Sequence, residues 1–553
     1  MKIQSLIKYI VFLSLFTMIN ANGKIIPDIY IRLNQVGYLP SDIKSGIVLS
    51  NSNLTSTSFI VKNVIDNKIV FTGNLVSKNV QYAKFNYSYE FEFTKLNNLG
   101  KYVVEIAGKK SFTFRIGNSL YTPIVKKLLE FFKVQRCGYT NPEMHKVCHI
   151  ADVSRLIDGQ KNIYKKMDLT GGWHDAGDYV KFLNTTAFAT YTLLFSYEFD
   201  PEKFGFDNNG NNVPDILEEA KIGLDWLLRA NYKNKKFITQ IQDLRDHDEG
   251  WRLPENDNLT FDRPGFLGIG KNLIGIYSAA LTLGSKIWAK KFQYYKFSDK
   301  CLRTAKDFYA IRNIVPDIDT SGTGVYHDKE YLGKLALAAI ELYDVTKNIK
   351  YYKDAIKYGN LAGSDFWWSW GDVNAFADYK IAKYNRKFAG KIEQNLERFN
   401  NTFKTNLFGE GVALSWGSNN TILGIALQNI LFKRLTGKSV YDTLAIIQRD
   451  FVLGRNPWGI SFIYKTGTNY TRSFHHQVAY FNHGKLPGGF AAGPVNKALL
   501  DSSGIKFESQ DKYYKFQTKK AYYRDDRMDF ITNEPTISAN ATAIFVMGYF
   551  SKE

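Results

Sequence analysis

The chain has 553 residues, of which 44% are hydrophobic, 15% aromatic and 23% charged, a composition that supplies a large core and excludes wholesale disorder. This length exceeds one ordinary domain, so a small module beside one large domain is the first architecture to weigh. A formal charge of +19 has the sign that attracts nucleic acid or anionic lipid, but the lysines are scattered among asparagines, so it reads as compositional bias.

In chain order, residues 1–21 read as a signal peptide: Lys2 and Lys8 lead, an apolar run spans Tyr9 to Ile19, and Ala21 offers the small residue for cleavage. They predict export, to an extracellular or periplasmic destination. No later segment is apolar for the ~20 residues that a membrane helix needs. Three cysteines, Cys137, Cys148 and Cys301, are too few for a disulfide framework in an exported chain of this size, so metal binding has to be weighed.

Residues 22–118 carry short β-branched and aromatic runs separated by Asn, Ser, Asp and Gly, among them Gly46–Leu49, Ser58–Val61, Lys68–Phe71, Tyr89–Phe93, Tyr102–Ile106 and Ser111–Phe114. Strict alternation in Tyr89–Phe93 fits a strand with one wet face, and the set predicts a small β-sandwich. After Tyr121 the period becomes helical, and residues 119–553 form the second domain. Pro214 and Asp215 open a helix that places Ile216, Ala220, Leu224 and Leu227 on one face. Similar stripes occupy Leu273–Trp288, Leu332–Tyr343, Ile422–Leu435, Val440–Val452 and Ala539–Tyr549, and Gly275, Ala279 and Ala280 permit close helix approach. Periodicity alone gives a large all-helical domain with no sheet, for which a ring of helix pairs is an economical closure.

The most distinctive local sequence is Gly171-Gly-Trp-His-Asp-Ala-Gly-Asp-Tyr-Val-Lys-Phe182. Asp175 and Asp178 lie three apart in a glycine-rich turn, where a shared site would push their pKa values apart, as suits a base and its helper. The bland alternative is an Asx-rich turn capping the next helix. A second acidic cluster, Tyr523-Arg-Asp-Asp-Arg-Met-Asp-Phe-Ile-Thr-Asn-Glu534, precedes a helix starting near Ser538. Glu534 in an aromatic setting, taken with Asp178, has the form of a glycosidase's two carboxylates.

These segments resemble glycoside hydrolase family 9. Gly171–Phe182 is similar to its Asp-Ala-Gly-Asp motif, Leu453-Gly-Arg-Asn-Pro457 to the signature before its active-site histidine, and Tyr523 through Asn540-Ala541 to its C-terminal motif. Trp416-Gly-Ser-Asn419 and Gly488–Pro494 recur in such enzymes, and Ile31-Arg-Leu-Asn-Gln-Val-Gly-Tyr38 is similar to the start of the immunoglobulin-like module in one branch. The resemblance implies an Ig-like β-sandwich followed by an (α/α)6 barrel, and inverting hydrolysis of β-1,4-linked glucan. It makes Asp178 the base, Asp175 the residue that helps hold the water, Glu534 the acid, His475 a substrate-binding histidine and Asp525 the acidic position before the catalytic Glu, also counted as substrate-binding.

Where the family has Pro-His-His-Arg this chain has Phe474-His-His-Gln477, so a neutral amide replaces a guanidinium expected to grip a sugar. Cys137, Cys148, His149 and His174 satisfy a closed tetrahedral zinc site, and the Ig-like branch is similar in carrying such residues there. The alternatives are a Cys137–Cys148 disulfide, free thiols, or His145 in place of His149. Calcium is disfavoured twice: Gly333 and Lys334 follow the loop Thr323–Asp328 where an Asp-Glu pair is common, and Asp207–Glu218 lacks Gly at its sixth place and reads better as a tight turn. The expected partner is a polysaccharide or oligosaccharide, with the protein a monomer. The rivals are an exo-β-glucosaminidase on the same fold and a non-catalytic glycan-binding protein, which would have lost its acid or base.

Overall fold

A computed structural model describes residues 28–324, 326 and 328–551. The signal peptide expected at 1–21 lies outside these. Among the described residues no helix is long and apolar enough to cross a membrane.

The strand-forming runs build two sheets. Ile29–Arg32, Ser45–Ser50, Tyr87–Glu92 and Val76–Ser77 are neighbours in that order in one; Gly37–Tyr38, Phe114–Ile116, Gly100–Ile106, Ser58–Asn63 and Ile69–Asn74 form the other, with Lys109–Lys110 paired to Gly100–Ile106. Tyr89, Phe91 and Phe93 are buried while Glu92 is exposed, as the alternation requires. The inward rows, including Val48 and Phe91 from one sheet and Phe59, Val104 and Phe114 from the other, make a core of their own.

The segment Ile31–Tyr38 fastens this sandwich to the second domain. Asn34 Nδ2 donates to Asp450 Oδ1 at 2.7 Å, and Gln35 Oε1 accepts the N–H groups of Thr468 and Asn469. Arg449, wholly buried, pairs with Asp42 at 2.9 Å and Asp450 at 2.7 Å.

The second domain is a double ring. Leu183–Phe199, Lys271–Phe292, Leu332–Thr346, Asn374–Ala382, Ser418–Thr436 and Ile537–Tyr549 each pack on the next, and the last on the first. Thr122–Gln135, Asp215–Arg229, Tyr295–Ala310, Ile349–Leu361, Ala389–Thr405 and Asp442–Val452 lie outside them. Inner helices are buried all round, as from Leu183 to Ser196, whereas an outer helix such as Asp215–Arg229 buries one stripe. Gly275 shows why small residues sit inside: a Cβ there would come within 2.5 Å of the Lys334 backbone. The (α/α)6 barrel follows from these contacts.

The structure departs from the expected sheet-free domain. Lys161–Ile163, Arg155–Asp158, Pro264–Gly268, Lys236–Ile241 and Lys181–Phe182 form a sheet in that order, and Asn231–Tyr232 pairs with Lys236–Ile241. These strands are two to six residues long, and the longest, Lys236–Ile241, is buried on both faces, so no alternation betrays it. Its role is local: Lys181 and Phe182 pair with Ile241 and Gln240, which anchors the end of the Asp175–Asp178 turn.

Candidate active site

The loops before the N-termini of the inner helices enclose a cleft of about 500 Å³. Asp175 and Asp178 reach it ahead of Leu183–Phe199, Tyr326 ahead of Leu332–Thr346, Trp416 ahead of Ser418–Thr436 and Glu534 ahead of Ile537–Tyr549. Gly171 and Gly172 take φ of 78° and 69°, the left-handed region that glycine enters without penalty. Gly177 is needed for another reason: a Cβ would lie 2.2 Å from the His475 carbonyl oxygen.

Gly177 also joins the two candidate carboxylates, because its N–H donates to Glu534 Oε1 at 3.1 Å while the next residue is Asp178. Burial, and after it the Asp178 charge, push Glu534 up to about 8, against the Gly177 N–H. Asp178 goes the other way. Burial acts to raise it, but the hydrogen bond and charge of His247 and the Val180 N–H outweigh this and hold it below its ordinary value. His247 Nε2 lies 2.7 Å from Asp178 Oδ2, and that bond raises the imidazole to about 9. Two neighbouring carboxyl groups, one kept protonated and one ionised near neutral pH, are what acid-base cleavage of a glycosidic bond needs.

Asp175 is buried at the cleft wall, its pKa raised to about 7 chiefly by burial. Thr185 and Tyr326 stand beside it, yet neither of its oxygens accepts a hydrogen bond of ordinary geometry. A carboxylate so placed can hold a water against Asp178.

His475 lines the cleft; its Nδ1 lies 2.8 Å from the Arg527 carbonyl, which can only accept, so Nδ1 carries the proton and Nε2 is the acceptor. Gln477 borders the cleft too, but its amide clamps backbone: Oε1 accepts from Arg252 N at 2.8 Å and Nε2 donates to Gly250 O at 3.2 Å. Asp525 is not among the residues lining the cleft. Its Oδ1 accepts the N–H groups of Arg472 and Ser473, and its Oδ2 meets Lys512 at 2.7 Å, which fixes the chain just before His475.

Sequence reading missed His247 and Trp251, and gave Trp416 only as part of a recurring motif. Trp251 stacks on Tyr480 at 4.6 Å and meets the His475 ring at 5.1 Å. Trp416, 45% exposed, packs against Phe530 at 5.7 Å. Such faces are stacking surfaces for sugar rings. The sole signal for Trp251 was a tryptophan in a polar, glycine-bearing segment.

Cys137, Cys148, His149 and His174 converge behind the turn, one ligand atom of each within 4.8 Å of the others. The Cys137 and Cys148 sulfurs are 3.9 Å apart, too far for a disulfide, and both thiols are free. His149 Nδ1 and His174 Nε2 are 3.1 Å apart. Metal bonds of about 2.3 Å to sulfur and about 2.0–2.1 Å to nitrogen give tetrahedral edges of roughly 3.8 and 3.3 Å, so the donor set fits one ion. His149 Nε2 meets Asp257 Oδ2 at 2.9 Å, the outer carboxylate that orients a ligating imidazole. His145 is turned to the Val134 carbonyl instead. At the two loops weighed for calcium, the Lys334 ammonium is buried against Asp328, and Asp207 accepts the backbone N–H groups of Gly210, Asn211 and Asn212 in a tight turn.

An α/α barrel whose aromatic-walled cleft pairs a protonated with an ionised carboxyl group defines a glycoside hydrolase. The chain belongs to glycosyl hydrolase family 9, whose model matches residues 121–547, and a cellulase N-terminal Ig-like domain matches residues 27–111. Among its relatives is a xyloglucan-specific endo-β-1,4-glucanase of Bacteroides ovatus, 25% identical over 94% of this chain and 93% of that protein. Its fold is similar to that of a metagenome-derived family 9 endoglucanase, with a TM-score of 0.81 and 24% identity over 95% of this chain and 99% of that one. A zinc-binding triple mutant of another family 9 endoglucanase is similar at a TM-score of 0.78 and 23% identity, covering 93% of this chain and 99% of its own.

Proposed function

We propose that the chain is an exported, monomeric, inverting glycoside hydrolase that cleaves β-1,4-glucosidic bonds in cellulose or a related β-glucan. The observation that carries this is the opposed ionisation of Asp178, held down, and Glu534, pushed up to about 8, in one aromatic-walled cleft. Family membership and an endo-β-1,4-glucanase relative support the substrate class. Export rests on the leader read at residues 1–21.

In this mechanism Trp251 and Trp416 hold sugar faces, and His475 accepts a sugar hydroxyl. Asp175 and Asp178 hold a water on the face opposite the leaving group. Asp178 takes a proton from that water as its oxygen attacks C1, and Glu534 gives its proton to the departing glycosidic oxygen, so the configuration at C1 inverts. Asp525 acts through the backbone before His475 rather than on the sugar, and Gln477 acts on the wall that carries Trp251. A zinc ion held by Cys137, Cys148, His149 and His174 would brace the catalytic turn and take no part in the chemistry. Incubation with a panel of β-1,4-linked oligosaccharides tests the substrate: cello-oligosaccharides are cleaved, and turnover of chito-oligosaccharides alone would refute the assignment.

A further inference from the structure

Lys181 is wholly buried, and the reaction above gives its ammonium group no task. It closes the turn that carries His174, Asp175 and Asp178, and the pairing of Lys181 with Ile241 in the small sheet fixes where its side chain enters the protein. An ammonium group is tolerated there only if acceptors meet its three N–H donors. Asp152 Oδ2 lies 2.5 Å from Nζ, the Gly171 carbonyl oxygen 2.9 Å and the Leu169 carbonyl oxygen 3.3 Å. A fourth acceptor, Cys137 Sγ, is also 3.3 Å away, and it belongs to the cluster of Cys137, Cys148, His149 and His174. The ammonium therefore sits between a carboxylate and a sulfur that are themselves only 4.0 Å apart. Arg263 holds the other oxygen of Asp152 at 2.5 Å, which keeps that carboxylate in place independently of Lys181.

We infer that Lys181 is a positioning residue for the metal site, an ammonium group that holds the Cys137 sulfur toward the other three ligands and separates it from the Asp152 carboxylate. The inference rests on the reading of Cys137, Cys148, His149 and His174 as ligands of one zinc ion. Cysteine ligates as the thiolate, so loading the site puts a negative sulfur beside the negative Asp152 oxygen. At 4.0 Å, with no solvent to screen it, that repulsion opposes loading; a cation between the two replaces it with attraction on both sides. The flank behind His149 is arranged alike. His149 Nε2 meets Asp257 at 2.9 Å, and Asp257 is paired with Arg252 at 2.7 Å. Lys181, Arg252 and Arg263 thus stand against Asp152, Asp246 and Asp257, a shell with as many cations as carboxylates. Such a shell leaves two thiolates to be balanced by a divalent ion. One turn accordingly supplies a ligand, His174, the proposed base, Asp178, and the cation that steadies a second ligand.

The test is metal binding by wild type, Lys181→Met, Lys181→Arg and the double variant Asp152→Asn/Lys181→Met, each stripped with a chelator and reloaded. Zinc affinity is read by competition with a chromophoric chelator, and the cobalt form by its sulfur-to-metal charge-transfer absorption. Lys181→Met should weaken zinc binding about 10–100-fold, the usual effect of losing an outer partner of a ligand. Its cobalt band should move to longer wavelength, because a thiolate without an N–H donor gives up charge more readily. Lys181→Arg, which keeps a charged donor, should hold the band near its wild-type position. Removing the Asp152 charge as well should recover most of the affinity lost in Lys181→Met. Lys181→Gln takes the place of Lys181→Met if that variant does not fold, with the same loss of affinity expected. A lysine needed only to fill its place would lower the melting temperature of metal-free and metal-loaded protein alike while affinity and band stay put, and that result overturns the inference. So does a double variant that binds zinc no better than the single one. Wild-type protein that takes up no metal would instead remove the site on which the inference stands.

Discussion

Replacing Glu534 by Gln is expected to separate two kinds of substrate, by an amount that follows from where the side chain sits. Burial and the Asp178 charge carry its pKa from 4.5 to about 8. At pH 6 a group with that raised value is ~99% protonated, whereas one at the ordinary value is ~3% protonated, so the site holds roughly thirtyfold more of the acid form. Wild-type kcat/KM on a cello-oligosaccharide should therefore stay high through neutral pH and fall on an alkaline limb near pH 8, a value belonging to the coupled Asp178–Glu534 pair. Glu534→Gln should cost on the order of 10²–10⁴-fold on this unactivated substrate. On an aryl glycoside whose leaving group needs no proton the loss should be much smaller, and the alkaline limb should vanish. Steady-state kinetics of both proteins on both substrates from pH 4 to pH 10 make the comparison. Equal losses on the two substrates, or a wild-type limb near pH 5, would exclude Glu534 as the proton donor.

Gln477→Arg is expected to break the amide's two bonds to Gly250 and Arg252, costing about 2 kcal/mol. Because that wall carries Trp251, oligosaccharide KM should rise, as kinetics and urea unfolding together will show. Wild-type protein should contain one zinc per chain by elemental analysis; Cys148→Ala should lose it with a lower melting temperature, and a Cys137–Cys148 disulfide in the mass spectrum would contradict the site. Arg449→Ala leaves Asp42 and Asp450 buried without their cation, so unfolding in urea should show a loss of about 3–5 kcal/mol.

The parts of the fold most legible in the sequence are those with a period. Tyr89–Phe93 alternates because one face meets a core and the other water, and Asp215–Arg229 repeats at helical spacing because it covers an inner helix. The inner helix Leu183–Phe199 has no polar face to read, and Lys236–Ile241 has no wet side, so the sheet was missed. Asp175, Asp178 and Glu534 stand out in the sequence because glycines and aromatics crowd their motifs, and the fold brings all three to one cleft. His247 was not: its partner lies 69 positions earlier, a pairing that needs the folded chain. Asp525 shows the converse limit. A motif marks the position, but only the contacts with Arg472, Ser473 and Lys512 reveal that its carboxylate works on backbone and an ammonium group.

In the proposed mechanism Asp178 activates water while Glu534 protonates the leaving oxygen, so that water attacks from the face opposite the departing sugar. Proton NMR of the first products from a β-1,4-linked cello-oligosaccharide, recorded before mutarotation, tests this most directly. The α-anomer should appear first, and the Asp178 and Glu534 carboxyl groups should lie about 6.5–9.5 Å apart, the spacing of an inverting enzyme. The β-anomer appearing first would show retention through a covalent intermediate and contradict it.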